Sequence, residues 1–456
     1  MNRSHVKTVN LTEGVIWKQV LLFAAPLFAA SLIQQLYNTV DLMFVGHFLG
    51  TNAAAAVGAG SLLTTLLIGF FTGLSTGIGV LSARAFGAGD HRDLRQTIHT
   101  AAGVAVIGGL LLMVVGVVFA PVFLRWLNTP ESILKLGIVS MRIYFVSIPS
   151  SICYNISSGI LRATGNSRSP MLYQLIGGVT NVFANWVLIV LIPLGVAGVA
   201  LATLFSSTIP AVICVRALTR LPDEYRLEIR KIRITPAKLK SIFLIGIPNG
   251  VQAMVITLSN LIVQANINSL DVTSIAAFTC YFKLENFVYL PIMAFGQAAT
   301  TFVAQNMGRG FDRRARKGMG VCLIIGVIIT VCISSFLLLI HNAAFSLFSE
   351  DGDVIALGTQ IIRVTFPFYF IYVFLEVFSS SIRGTGRSLP PMIIAVCNMC
   401  GVRLIALAVM MRLNPTAPGV AVIYPITWTT TTLCQLGYLL ISRCMHLKQP
   451  ERLSDG

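Results

Sequence analysis

Apolar residues in this chain come in runs too long for a soluble helix. Residues 101–120, 177–194 and 321–340 each hold about 20 positions with almost no ionisable side chain. That length of helix, at ~1.5 Å per residue, crosses a hydrocarbon core of ~30 Å. In lipid the backbone must satisfy itself, which leaves helices and closed barrels. Barrel strands alternate apolar and polar positions; these runs do not, so they predict helices. The pattern gives about twelve spans, near 16–47, 54–83, 97–121, 136–160, 169–193, 196–217, 241–268, 275–304, 316–341, 356–382, 391–412 and 418–443. The first follows a short basic tail with Arg3 and Lys7. It is too long for the core of a signal peptide and reads as a retained first helix.

Charge sharpens this picture. Only 11% of the 456 residues are charged and 55% are hydrophobic, where a soluble domain carries about a quarter charged. The net charge of +16 sits in particular loops. Arg84, Arg92 and Arg95 follow span two, Arg162 and Arg168 span four, Arg309, Arg313 and Arg314 span eight, Arg383 and Arg387 span ten, and Arg443 and Lys448 span twelve. All lie on the side of the N-terminus, whereas Glu350, Asp351 and Asp353 lie on the other. The positive-inside rule then predicts a multi-pass cell-membrane protein with both termini cytoplasmic. A nucleic-acid surface is the rival reading of the basic charge. It fails because the charge sits in short loops between spans, where anionic lipid headgroups are sufficient partners. The longest polar stretch divides the spans six and six. It predicts an N-lobe at 1–220, a basic cytoplasmic linker at 221–240, a C-lobe at 241–445 and a cytoplasmic tail at 446–456.

The two halves repeat at a shift of 221 or 222 residues. Pro26 and Asn38 match Pro248 and Asn260, Arg142 matches Arg363, and Gly198-Val-Ala matches Gly419-Val-Ala. The clearest match is Arg162-Ala-Thr-Gly-Asn-Ser with Arg383-Gly-Thr-Gly-Arg-Ser. Six spans per half keep both halves in one orientation, so the repeat is parallel, a layout typical of secondary transporters. The Arg-x-Thr-Gly turns read as helix C-caps. Gly69, Gly73 and Gly77 put bare backbone on one face of span two for close helix packing. The nine cysteines lie mostly in apolar runs and imply no disulfide framework; a lone Cys397-x-x-Cys400 pair is a weak metal signal.

Ionisable groups inside spans are costly, which makes each a functional candidate. They are Asp41, Lys283, Glu285, Glu376 and Arg403, with Arg142 and Arg363 nearer the span ends. Ser31, Gln34, Asn38 and Asp41 share a face of span one. A carboxylate there either exchanges a proton or offers oxygen to a hard cation such as Na⁺. The bland reading is a buried carboxylate tied into helix packing. Asn181, Asn185 and Thr203 supply neutral oxygens on spans five and six. In the second half, Gln252 and Asn260 lie on a polar stripe of span seven, and Glu285 stands near Tyr289 on span eight. Lys283 and Glu285, two residues apart, do not share a face. Glu376 and Arg403 are candidates to pair across spans ten and eleven. Pro26 precedes the polar stripe of span one and is a candidate hinge. There is no phosphate-binding loop of the G-x-x-x-x-G-K-[ST] type.

Gln34-Gln-Leu-Tyr-Asn-Thr-Val-Asp41-Leu-Met-Phe-Val-Gly-His47, followed by Leu49-Gly50, resembles the first helix of the multidrug and toxic compound extrusion (MATE) family. The Arg-x-Thr-Gly-x-Ser repeats and Gln305-Asn306-x-Gly308-x-Gly310 fit the same family, and the resemblance covers essentially the whole chain. It implies an all-α integral membrane protein of twelve transmembrane helices in two six-helix bundles forming a V-shaped cavity. It implies alternating access, with efflux of amphipathic, often cationic compounds against H⁺ or Na⁺ and no cofactor. The family's N-lobe cation site carries over to Asp41, Asn181, Asn185 and Thr203, with Asn38 in support. Asn185 departs from the pattern, since related members have Asp there. One charge fewer weakens a Na⁺ site and favours H⁺. Some relatives place an acid in the second lobe, and Glu285 resembles it. Substrate contacts are expected from Gln34, Tyr37, Gln252, Asn260, Phe282 and Tyr289. The rivals are a flippase for lipid-linked sugars, which needs a strongly cationic cavity, and a membrane-embedded enzyme, which needs a catalytic cluster that the chain does not display.

Overall fold

The apolar runs fold as helices, and no strand occurs among the described residues, 9–442 and 444–445, of the computed structural model. Arg3, Lys7, Arg443, Lys448 and the tail predicted at 446–456 lie outside them. The chain divides into two compact units. One holds residues 25–250 together with Val9; the other holds residues 10–24 and those from Val251 onward.

In the first unit, α1 (Ile16–Phe44, from residue 25) passes into a π-wound turn at Val45–Leu49. Then come α2 (Gly50–Ala59), α3 (Ser61–Ala88), α4 (His91–Trp126) and α5 (Glu131–Ala163). Helix α6 (Arg168–Asn185) gives way to a π segment at Trp186–Leu191, and α7 (Val196–Thr219) follows. Helix α5 is the centre: it packs on α3, α4 and α7 around Phe145, Ile152 and Ile156. The glycines of α4 set how close α5 comes. A Cβ on Gly109 would lie 2.9 Å from the Pro149 Cα, so any larger residue would drive the helices apart. Gly77 of α3 likewise meets backbone, at 2.6 Å from the Gly246 nitrogen. This is the close packing that the glycine spacing predicts.

The predicted linker is packed rather than loose. Tyr225 and Leu227 are buried in the core of this unit. Glu228 pairs with Arg95 and, at 2.7 Å, with Lys231. Its backbone N–H donates to His99 Nε2 at 3.3 Å, while His99 Nδ1 meets the Arg95 carbonyl at 2.9 Å. Lys238 pairs with Asp93, and Thr235 N–H donates to Thr100 Oγ1 at 3.2 Å. The first turns of α4 thus present one polar face, and the linker supplies its complement.

The second unit holds α8 from residue 251 (Pro236–Ile267), α9 (Val272–Gly308), α10 (Asp312–Leu339), the short α11 (His341–Ser346) and α12 (Gly352–Thr365). Helix α13 (Tyr369–Gly384) comes next, then α14 (Leu389–Val396), a π segment at Cys397–Val402, α15 (Arg403–Leu413), α16 (Ala417–Ala421) and α17 (Ile423–Ser442). Helix α9 takes the central place, packed on α10, α12 and α13. Residues 10–13 are held by this unit. The Leu11 carbonyl accepts from Asn306 Nδ2 at 3.1 Å, and Arg309 reaches Thr12 Oγ1 at 2.7 Å and Glu13 at 3.1 Å.

The predicted caps form in both halves. Gly165 (φ 85°) and Gly386 (φ 83°) take the left-handed conformation, and their N–H groups close on the Arg162 and Arg383 carbonyls at 2.9 and 2.8 Å. Eleven helical stretches among the described residues are long and apolar enough to cross a bilayer. Helix α17, expected as the twelfth span, is 20 residues long and dilutes its apolar content with five threonines. Four of their hydroxyls turn back onto the helix, as Thr427 and Thr431 do onto the Ile423 and Thr427 carbonyls at 2.9 and 2.6 Å, and that of Thr432 donates to the Ile371 carbonyl of α13 at 3.3 Å, so they add little polarity at its surface.

The Lys231 ammonium, then the Arg95 and Arg226 guanidinium groups, hold the Glu228 carboxyl below its ordinary range. A carboxyl depressed on folding stabilises the ionised, folded form above its unfolded pKa, and loses that contribution as pH falls through the lower folded value. Protection of the amides across residues 224–232, taken relative to the intrinsic exchange rate at each pH, should therefore fall on acidification below pH ~4. Glu228→Gln should already exchange faster at neutral pH; wild-type protection in that variant would show that the ion pairs do not hold the linker.

Candidate functional site

Asp41 sits one turn before the π segment that ends α1, and Asn185 is the last residue of α6 before its own π segment. Asn185 Nδ2 donates to Asp41 Oδ1, and Asn181 Nδ2 donates to Asp41 Oδ2 at 3.3 Å. The two amides are themselves joined, Asn185 Nδ2 to Asn181 Oδ1 at 3.2 Å. Both asparagines are almost fully buried, at 1% and 0% exposure. The spacing of four residues on α6 puts both on one face, aimed at α1.

Asn185 Oδ1 is buried and has no donor. A buried acceptor without a partner costs about 1–3 kcal/mol. No group of three or more His, Cys, Asp or Glu side chains that could hold a metal ion occurs among the described residues; the cluster is built from one carboxylate and two amides.

The other predicted members are placed differently. Thr203 donates its hydroxyl to the Val199 carbonyl of its own helix at 3.1 Å. The α7 side chain that meets the cluster is Ser206, one turn on, whose Oγ accepts from Asn181 at 3.5 Å. Asn38 and Gln34 are exposed on α1. The Tyr37 hydroxyl accepts from Gln174 Nε2 at 3.3 Å, and its ring lines an apolar cleft of about 510 Å³ with Val40, Gly178, Val182, Phe183 and Trp186. Pro26 is buried within α1, which continues through it.

In the second unit Glu285 is held by phenols. Tyr369 donates to Glu285 Oε1, Tyr281 does so at 3.4 Å, and the two hydroxyls lie 3.2 Å apart. Tyr369 packs on Trp428 with ring centres 4.7 Å apart. Tyr289 packs on Tyr372 at 5.4 Å, with their hydroxyls 3.2 Å apart. Phe282 lies against Tyr281 at 5.4 Å. Gln252 is buried with its Oε1 unpartnered. Lys283 does not meet Glu285 and lies 5.1 Å over the Phe348 ring.

One expected pair does not form. Glu376 bonds Arg383, seven residues along its own helix, at 2.8 Å, and not Arg403. The reason is geometric: two turns of helix bring the long arginine back to the carboxylate, and Ser380 Oγ bridges them at 2.9 and 2.8 Å. Arg403 instead donates from Nη1 to Asn260 Oδ1 at 2.7 Å. The spacing of Tyr281 and Glu285 at i, i+4 could have flagged that phenol from the sequence. Ser206, Gln174, Tyr369 and Trp428 come from other helices, and no local signal marks them.

The MatE family model matches this chain twice, at residues 26–187 and 248–409. The chain belongs to the MATE family of membrane transporters. The second match begins 222 residues after the first (26 against 248), which is the duplication read from the sequence. The chain is 26% identical over 443 residues to the probable multidrug resistance protein YoeA of Bacillus subtilis, covering 94% of this chain and 95% of that one. It is 23% identical to the multidrug export protein MepA of Staphylococcus haemolyticus over 384 residues, 84% and 85% of the two chains. Among solved structures, an outward-facing multidrug resistance MATE transporter of the MOP superfamily superposes with a TM-score of 0.90 at 20% identity, over 96% of this chain and 99% of that one. A MOP superfamily transporter from Pyrococcus furiosus, for which reversed pocket polarity suggests a different function, superposes at 0.87 and 21% identity, over 97% and 99%. Membership makes this MATE protein a transporter and not an enzyme.

Asn185→Asp tests the site directly. Two carboxylates about 3 Å apart repel unless a cation lies between them. Ligand linkage then predicts a Tm that rises with Na⁺ concentration more steeply in the variant than in wild type, where choline chloride is the control. Equal Na⁺ dependence in both would show that residue 185 does not face a cation.

Proposed function

We propose that this protein is a secondary antiporter that exports amphipathic, often cationic organic compounds in exchange for a monovalent cation, H⁺ in preference to Na⁺. The observation that carries the reading is the donorless Asn185 Oδ1 beside Asp41. A proton delivered to Asp41 converts it from acceptor to donor, and the Asn185 oxygen can then turn in to receive it. Na⁺ would need several oxygen ligands. Here the asparagines turn N–H groups, not oxygens, toward Asp41, and Thr203 makes its hydrogen bond within its own helix rather than to the cluster. The relatives' names, multidrug resistance and multidrug export, support organic compounds as cargo. The basic loops support cytoplasmic termini, and the relative named as a multidrug export protein supports export as the direction of cargo.

Pro26 fits the cycle as a hinge. It removes one i→i−4 hydrogen bond from α1, so bending there costs less than elsewhere, and the bend lies on the helix that carries Asp41.

Ethidium efflux from proteoliposomes should follow an imposed pH gradient and not an imposed Na⁺ gradient. Asp41→Asn should lower that efflux at least ~tenfold, a barrier increase of ~1.4 kcal/mol. Efflux driven only by Na⁺ would reverse the ion assignment, and full activity in Asp41→Asn would remove Asp41 from coupling. Pro26→Ala should slow turnover while leaving ethidium affinity and Tm close to wild type; an unchanged rate would remove the hinge.

A further inference from the structure

The two halves hold opposite charge at corresponding places. They align at a shift of 221 across the Arg162 and Arg383 turns and again at Gly198 and Gly419. In between, each inserts a π segment into the same span, at residues 397–402 in the second half and 186–191 in the first. A π turn takes one residue more than an α turn. Between the two insertions the register therefore runs at 222, the shift that also relates α1 to α8 through Pro26/Pro248 and Asn38/Asn260.

In this register Asp41 corresponds to Val263, Asn181 to Arg403, Asn185 to Leu407 and Thr203 to Tyr424. The acid and its amides have become two buried aliphatic side chains and a guanidinium. Arg403 is 3% exposed. Its Nη1 donates to Asn260 Oδ1 at 2.7 Å and Ser259 Oγ at 3.5 Å, and its guanidinium lies 5.3 Å over the Tyr424 ring. No carboxylate lies within ion-pair distance of it among the described residues. Nε is buried with no acceptor, and no hydrogen bond from Nη2 is formed to the described residues.

That unpaired edge has a defined chemistry. The parallel N–H groups of Nε and Nη2 form the fork that takes a carboxylate in bidentate fashion. Glu285 acts on this guanidinium from beyond ion-pairing distance and is itself bonded to Tyr369 and Tyr281, so the fork stays open to an incoming anion, which offsets the cost of an intramembrane cation. Asn260 is exposed and bonds Nη1, which anchors the guanidinium by that nitrogen and leaves the Nε and Nη2 edge unspent.

We propose that Arg403 recognises a carboxylate on the transported compound, so that the second unit selects carboxylate-bearing, zwitterionic cargo in addition to simple cations. This rests on the export function proposed above. One guanidinium matches one carboxylate; a diphosphate would need further cations, and Arg403 has none beside it in ion-pairing range of a shared ligand among the described residues of its site.

Rhodamine 110 and its methyl ester, rhodamine 123, differ in this one group: the first is a zwitterion with a free carboxylate, the second a cation. Their affinities for the purified full chain are compared by fluorescence anisotropy, which needs no gradient. Wild type should bind rhodamine 110 at least as well as the ester. Arg403→Gln should lower the ratio of acid to ester affinity at least ~tenfold. Arg403→Lys, which keeps the charge and loses the fork, should lower it about threefold, and it decides the matter if the glutamine variant does not purify as a monodisperse protein. An unchanged ratio in the variant, equal loss of both dyes, or no binding of rhodamine 110 by wild type overturns the proposal. Ethidium efflux in the same wild-type preparation reports separately on the export reading, so the two can fail independently.

Discussion

The cost of an unpaired charge in hydrocarbon organises this protein. A chain with so few charges places almost every intramembrane one where a neighbouring helix can answer it. Asp41 has two amides and Glu285 two phenols. Glu376 is the exception, answered within its own helix by Arg383 with a serine between. These contacts in turn fix which helices must be neighbours, α1 with α6 and α9 with α13. The apolar faces are interchangeable in lipid; the polar contacts are not, and they specify the register of each bundle.

Duplication supplied two copies of that solution, and the copies show which parts are architectural. The left-handed glycine caps after Arg162 and Arg383 recur with nearly the same φ and the same bond. Backbone geometry of this kind persists because a cap or a close helix approach leaves few alternatives. The hub is not one of these parts: α5 is central in the first unit, whereas α9, the counterpart of α2 and α3, is central in the second. Side chains facing the interior diverged in sign, from Asp41 and Asn181 to Val263 and Arg403.

Sequence reading reached the fold because its signals are local: 20-residue apolar runs, basic loops and a repeated motif. It also paired Asp41 with Asn181 and Asn185, helped by a family resemblance and by helical spacing. It placed Thr203 where the structure uses Ser206, since a threonine hydroxyl prefers the carbonyl four residues back in its own helix and spacing alone does not reveal that choice. It proposed Glu376 with Arg403 because both are rare intramembrane charges. Whether an arginine reaches along its own helix or across to another depends on rotamer and tilt, which periodicity does not encode. The packed linker escaped for a similar reason. A charged stretch reads as solvated until the complementary face on α4 is seen.

The two acids are held by donors of different kinds, and the difference has mechanical content. A phenol both donates and accepts. Tyr369 and Tyr281 can therefore keep their bonds to Glu285 whether it is ionised or protonated, by reversing the direction of one hydrogen. An asparagine NH₂ only donates. When Asp41 takes a proton on Oδ1, the oxygen that faces Asn185, that amide recovers a bond by turning through half a rotation to offer Oδ1, the atom left without a donor in the present arrangement. That rotation also breaks the bond from Asn185 Nδ2 to Asn181 Oδ1. In the cycle proposed above, protonation of Asp41 would rearrange the hydrogen bonds between α1 and α6, at the points where both helices pass from α to π winding. The same event at Glu285 would leave its neighbours in place. The two acids thus differ in what their donors allow: amides must reorganise, and phenols need only reverse a hydrogen.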